Sequence, residues 1–298
     1  MSKISTLVDD IYEVLMSHTN KLEDVTSEQM ADYGMNVVKH ISGTVEGREQ
    51  SDVPRVEEKK IYATELGESC LRKLWFKYNG YAGVPLTPAT INKFLYGNIL
   101  EENLLFLAKV AGHSVTEEQA PVKTKVKGTE WIISGRIDAI IDGHIVDVKS
   151  CSSFAFQKYG TILRHEDDAF GYNWQLSYYC HQMPGDSIYE VPYFLMQDKQ
   201  NGGLKLVEST QVTNSNVLNK AQEITVNTTL LVPPNVPNHL EDVPFQKSGN
   251  MQLPMKCGYC EFKHHCRPKV RTFISLRGPV YLTEVKREPK MPEVTDNA

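Results

Sequence analysis

The stretch Ile137-Asp138-Ala139-Ile140-Ile141-Asp142-Gly143-His144-Ile145-Val146-Asp147-Val148-Lys149 constrains this chain more than any other. Its apolar residues are mostly β-branched. They flank Asp142-Gly143, a pair that strongly specifies a two-residue hairpin loop because both loop positions need positive φ. With that loop Ile141 faces His144, and Asp138 faces Asp147 on one side of the sheet. Like charges directly opposite each other destabilise a sheet. The pattern therefore predicts an offsetting positive charge, and a bound divalent cation is the simplest one. Strand alternation brings Lys149 to the same side, two residues beyond Asp147.

A third carboxylate is expected from a helix over residues 90–111, which Gly112 terminates. Glu101 shares a helical line with Phe94, Gly97, Leu105 and Ala108. That line is otherwise apolar, so it should face the core. A carboxylate there is costly unless paired or bound to a metal. Gly97, one turn earlier, is expected to admit a neighbouring backbone. Glu102 lies with Asn98, Phe106 and Lys109, and is expected at the surface.

Of the six cysteines, Cys257, Cys260 and Cys266 form a C-x2-C-x5-C cluster. In a reducing compartment such spacing favours a metal over disulfides. The fourth ligand could be Cys70, or His264 or His265 in a local knuckle. Four thiolates suit zinc or a 4Fe–4S cluster equally. Cys151 and Cys180 read as small buried apolar residues.

The rest of the chain alternates helix and strand signals. Residues 1–60 give an amphipathic helix (Ile4, Leu7, Val8, Ile11, Val14, Leu15) and then a polar linker over 41–60. Residues 61–232 form the expected core: a helix from about Glu65 carrying Cys70, Trp75 and Phe76, the 90–111 helix, the hairpin, a helix near 168–183, two strands around Asn201-Gly202-Gly203, and a helix near 214–230. A cysteine-bearing lobe over 233–277 and a disordered, charged tail over 278–298 complete the expected layout. The net charge of −5 argues against a nucleic-acid binder charged over its whole surface. It leaves room for a local basic groove, for which Lys123, Lys125, Lys127, Lys269, Arg271 and Arg277 are candidates. No apolar run is long enough to span a membrane, and Met1-Ser2-Lys3-Ile4-Ser5 lacks a signal-peptide core. A cytoplasmic protein is expected.

Gly135-Arg136-Ile137-Asp138 followed by Ile145-Val146-Asp147-Val148-Lys149 resembles the core motif of the PD-(D/E)XK nuclease superfamily. Gln175-Leu176-Ser177-Tyr178-Tyr179 is similar to the Gln-x-x-x-Tyr motif of its RecB-like branch. Gly97-Asn98-Ile99-Leu100-Glu101 stands where that branch carries Gly-x-x-x-His, with glutamate in place of histidine. The likeness spans roughly residues 61–270. It implies an α/β restriction-endonuclease-like core, with a central mixed sheet flanked by helices.

The resemblance also implies a divalent-metal-dependent DNA nuclease, an exonuclease that hydrolyses phosphodiester bonds in recombination, replication or DNA degradation. Glu101, Asp138, Asp147 and the Val148 carbonyl would hold Mg²⁺ or Mn²⁺. Lys149 would position or activate water, Gln175 would orient Lys149 or a phosphate, and Tyr179 would line the DNA path. Iron–sulfur members, the AddB-type and CRISPR-associated adaptation exonucleases, carry one cysteine before the core and three after it. That layout matches Cys70 with Cys257, Cys260 and Cys266, and implies 4Fe–4S with Zn²⁺ as the alternative. Partners would be DNA and recombination or replication proteins. Many stand-alone members belong to bacteriophages, which would place the protein in host cytoplasm. A non-catalytic nucleic-acid-binding protein that kept the fold is the other reading. The chain carries no Gly-x-x-x-x-Gly-Lys-Ser/Thr loop, so ATP use is not expected.

Overall fold

A computed structural model describes residues 3–17, 25–45, 55–183, 191–276 and 278–294. Its helices are α1 (Leu7–Met16), α2 (Ser27–Val45), α3 (Arg55–Glu58), α4 (Leu71–Tyr78), α5 (Pro88–Val110), α6 (Ser153–Lys158), α7 (Tyr172–Gln182), α8 (Asn214–Thr228), α9 (Met255–Gly258) and α10 (Lys263–Cys266). The first nine strands are β1 (Lys60–Tyr62), β2 (Val115–Thr116), β3 (Pro121–Lys125), β4 (Ile132–Arg136), β5 (Ala139–Ile141), β6 (His144–Cys151), β7 (Ile162–Leu163), β8 (Tyr193–Asp198) and β9 (Leu204–Ser209). The rest are β10 (Val243–Phe245), β11 (Asn250–Gln252), β12 (Arg271–Ser275), β13 (Gly278–Glu284) and β14 (Glu293–Val294). The chain is a mixed α/β protein that divides into two units. The first is 1–52, 59–68 and 86–223, and the second is 53–58, 69–85 and 224–298.

In the first unit a six-stranded sheet runs β2-β5-β6-β8-β9-β7. The strand β6 pairs antiparallel with β5 and parallel with β8, so the sheet is mixed. Central strands covered on both faces need nearly continuous apolar sequence, which Ile145, Val146 and Val148 supply, all buried. Ile4, Leu7 and Ile11 join Leu104, Leu105 and Ala108 of α5 against Ala139, Ile141, Val146, Val148 and Leu195. Side chains of that kind each contribute about 1.5–3 kcal/mol on full burial. A three-stranded sheet, β1-β4-β3, completes the unit, with β1 parallel to β4.

The hairpin has the register its sequence predicts: Ala139 opposite Val146, Ile140 opposite Ile145 and Ile141 opposite His144. Asp142 and Gly143 both take positive φ, 49° and 86°. The helix on α5 starts at Pro88, with Thr87 capping it through Thr90 N at 3.2 Å. Only its C-terminal half is buried, since Phe94 is 58% exposed. Nothing lies within 4 Å of a Cβ built on Gly97, so no backbone approaches there, contrary to expectation.

The second unit holds a five-stranded antiparallel sheet, β10-β11-β13-β12-β14. Four expectations are corrected by the structure. The segment after Gly278 is not a disordered tail: β13 pairs with both β11 and β12, and β14 pairs with β12, while 295–298 lie outside the described residues. The helix expected from Glu65 begins only at Leu71, after a 3-10 turn over Ala63–Glu65. Residues 69–85 belong with the C-terminal segment, so the core is not the contiguous 61–232. The linker expected over 41–60 is also shorter, because α2 runs to Val45.

Candidate active site and cysteine pocket

Glu101, Asp138, Asp147 and Lys149 form one electrostatic cluster in the first unit. The Asp147 carboxylate is 2% exposed, and its Oδ2 lies 2.5 Å from the Lys149 ammonium. Burial opposes the charged form of Lys149, but Asp147 and then Asp138 outweigh it and hold the ammonium well above the usual lysine range. Burial, then Asp138 and Asp147, pushes the Glu101 carboxyl up to about 9. Burial, then Asp147, pushes Asp138 up to about 7, against the pull of Lys149 and of the Val148 N–H. Three carboxyl groups beside one ammonium cannot all ionise cheaply in a desolvated site, which is why burial and neighbouring acids raise Glu101 and Asp138.

Asp138 lies one residue beyond the paired part of β5. The ladder stops at Ala139, because the Ile137 N–H turns away to Ala120 O at 3.1 Å. Asp138 compensates with its side chain, Oδ2 accepting from Val148 N at 2.7 Å. On α7, Gln175 is buried. Its Nε2 donates to Asp147 Oδ1 at 3.5 Å and lies 3.3 Å from Tyr179 Oη. A Cβ on Gly135 would meet Tyr179 Oη at 2.5 Å and Ala63 Cβ at 2.8 Å. Glycine at that position is what lets the Tyr179 ring lie against β4.

Sequence reasoning missed two contributors. Gln119 donates through Nε2 to Glu101 Oε1 at 2.6 Å and through its backbone N–H to Asp138 O at 3.1 Å, so it links two of the acids. It stands at φ 56°, an uncommon value for glutamine. Tyr172 places its ring 5.3 Å from Lys149 Nζ, within cation–π range. Only folding brings these distant residues to the site, and neither belongs to a local pattern. Glu102 corrects an expectation: it is buried, not at the surface. Asn36 Nδ2 donates to its Oε2 at 3.1 Å, and His40 Nε2 lies 3.1 Å from Oε1.

Of the expected basic groove, Lys123, Lys125, Lys127 and Lys269 are exposed. Arg271 is instead held by Glu288 and Glu293 at 2.8 and 2.6 Å, and Arg277 lies outside the described residues.

In the second unit Cys70, Cys257, Cys260 and Cys266 line one pocket, together with Arg72, Lys73, Lys263 and Arg267. Cys70 is the residue just ahead of α4. Burial and the neighbouring thiols push Cys257 up to about 11. Arg267 Nη1 lies 3.3 Å from Cys266 Sγ. His265 is turned away, its Nε2 2.7 Å from Ala82 O and its ring stacked on Phe76. Trp75, Phe76 and Phe262 pack against Cys260 and Cys266. Cys151 and Cys180 are half-buried in the first unit. Among the described residues, no group of three or more His, Cys, Asp or Glu side chains is arranged so that it could hold a metal ion.

Neither a protein-family profile nor a curated protein matches the chain. Among solved structures, the crystal structure of SSO0001 is similar with a TM-score of 0.43 at 15% identity, covering 77% of this chain and 92% of that one. No helix among the described residues is long and apolar enough to cross a membrane.

Proposed function

We propose that this chain is a divalent-metal-dependent deoxyribonuclease of the PD-(D/E)XK type, acting on DNA ends, with a structural four-cysteine metal centre. The observation that carries the reading is the cluster of half-buried Glu101 and Asp138 and buried Asp147 around Lys149. Three carboxylates facing one cation form a hard-oxygen donor set with uncompensated charge, and that chemistry fits Mg²⁺ or Mn²⁺. Glu101, Asp138 and Asp147, with the Val148 carbonyl, would hold the ion. When bound, it supplies positive charge to the scissile phosphate and acidifies water.

The chain's own side chains do the rest. Lys149, kept charged by Asp147, offers an ammonium to the water that attacks and to charge that develops on phosphate. Gln175 holds Asp147 through Oδ1, so that the Asp147–Lys149 pair keeps its orientation. Gln119 restrains Glu101 and Asp138 from the other side. Tyr172 limits where the Lys149 ammonium can move.

We assign a tetrathiolate centre to the cysteine pocket because all four cysteines line it, although their side chains are not drawn together as a metal-holding group. Four basic side chains share its lining; they oppose, without overcoming, the burial that raises Cys257 and Cys260, and they suit the negative charge of a tetrathiolate centre. Cys70, rather than either histidine, stands in that lining. We assign the centre as 4Fe–4S, with Zn²⁺ as the competing occupant, and place the protein in the reducing cytoplasm, together with DNA and recombination or replication proteins.

The test is incubation with end-labelled linear DNA in Mn²⁺ or Mg²⁺, with EDTA and Asp147→Asn as controls. Cleavage that needs both the ion and Asp147 supports the reading. Binding without cleavage under every ion condition would replace it with a non-catalytic DNA-binding role.

A further inference from the structure

Phe170 is 65% exposed. One exposed aromatic residue means little by itself, so its surroundings carry the argument. Its ring stacks on Tyr172, with centroids 5.5 Å apart and planes at 28°. The Tyr172 ring in turn lies 5.3 Å from Lys149 Nζ. Ammonium, ring and ring thus run in continuous contact from the site to solvent.

The segment that carries this stack is tightly framed. Gly171, between the two aromatics, has φ 76°, and a Cβ there would stand 2.3 Å from Gly67 Cα. Asp168 accepts from Tyr172 N at 2.9 Å and Asn173 N at 2.8 Å, fixing the start of α7. Asn173 is fully buried, with Nδ2 donating to Leu163 O at 3.0 Å and Oδ1 accepting from Ser209 Oγ at 2.8 Å. Phe170 is therefore held outward by a rigid frame. Of the neighbouring acids, Asp168 is committed to the cap and Asp167 to Lys158 at 2.9 Å. Glu166, Arg164 and His165 are exposed beside it.

We propose that Phe170, backed by Tyr172, is a stacking step that receives an unpaired base of the DNA strand beside Lys149. The substrate at this site is then a single-stranded end or a frayed terminus. Bases inside a duplex have their faces covered by their neighbours, whereas an unpaired base offers a π face to an aromatic ring. The proposal rests on the nuclease reading of the site, and it adds the form of DNA that the site accepts.

The test compares equilibrium binding of a single-stranded oligonucleotide and a blunt duplex of the same sequence, by fluorescence anisotropy in EDTA at low salt. Phe170→Ala and Phe170→Leu are each expected to weaken single-strand binding by about 10-fold, the scale of one base stacked on an aromatic ring, and to leave duplex binding unchanged. Phe170→Trp is expected to retain single-strand binding and to quench a 2-aminopurine placed at the strand end. Phe170→Leu keeps the apolar bulk, so a folded variant is available even if the alanine variant is unstable. Unchanged single-strand affinity in Phe170→Leu, or equal losses on both DNAs, overturns the step. If the wild type cleaves DNA while Phe170→Leu binds normally, the step alone is wrong. If the wild type neither binds nor cleaves DNA, the nuclease reading falls and takes the step with it.

Discussion

Asp138 Oδ2 accepts a 2.7 Å hydrogen bond from the Val148 N–H, taking the place of the ladder bond that the turned-away Ile137 no longer provides. A strand thus ends where its acid is needed, and that acid stays anchored to the neighbouring strand. One carboxylate oxygen is committed to backbone, while the group remains close enough to Asp147 to be titrated by it.

Lys149 is expected to be indispensable to turnover. Lys149→Ala should lower the cleavage rate by about 100-fold or more, since it removes the group placed to stabilise developing charge. It also leaves Asp147 buried without its cation, at a cost of about 3 kcal/mol or more in stability. Single-turnover cleavage of end-labelled DNA and urea denaturation measure the two effects. Near wild-type turnover in this variant would remove Lys149 from the site.

Glu101 and Asp138 predict an unusual pH dependence of stability. Their folded-state pKa values, about 9 and about 7, lie above the ordinary carboxylate range because of burial and then of neighbouring acids. The folded protein therefore binds their protons more tightly than the unfolded chain does. Their contribution to stability is complete below about pH 4 and is lost as pH rises through about 7 and then about 9. In EDTA, this cluster should lower the melting temperature between about pH 5 and about pH 9. Mn²⁺ should restore stability most at the alkaline end, where it no longer competes with protons. Glu101→Gln should flatten the profile. Equal Mn²⁺ stabilisation at every pH would contradict the assignment.

Glu102 should separate from Glu101 in function. Glu102→Ala strands Asn36 and His40 on α2, and is expected to cost about 1–3 kcal/mol without changing the Mn²⁺ concentration that supports cleavage. Glu101→Gln should do the reverse, with a small loss of stability and a large rise in the Mn²⁺ requirement. A metal titration of cleavage in both variants decides between them, and a shifted Mn²⁺ requirement in Glu102→Ala would reverse the roles.

If the proposed metal centre exists, Cys70→Ser should abolish metal binding by the second unit and lower its melting temperature, because a structural metal centre is among the few single features worth several kcal/mol. Cys151→Ser and Cys180→Ser should keep it. Anaerobic purification with metal analysis and visible spectroscopy checks this. Brown protein with iron and sulfide supports 4Fe–4S, and colourless protein with stoichiometric zinc supports the alternative. Full metal content in Cys70→Ser would move the fourth ligand elsewhere.

The sequence alone determined whatever depends on local periodicity. Asp142-Gly143 admits positive φ at two successive positions, which set the hairpin register and brought Asp138 towards Asp147. Strand alternation then put Lys149 on the side of Asp147, and the apolar spacing of Ile4, Leu7 and Ile11 marked a buried helical face. Tertiary structure alone decided what lies across long separations. Glu102 is buried because α2 covers that face of α5 with Asn36 and His40, and no pattern within α5 carries that information. Gln119 and Tyr172 reach the acids and Lys149 only after β2, β3 and α7 are in place. The C-terminal segment orders because β13 finds partners on both edges, so its polar composition did not decide its fate. Pairing of a strand is a property of its neighbours: β12 meets β13 through a local hairpin, whereas β11 (Asn250–Gln252) reaches it only through the fold.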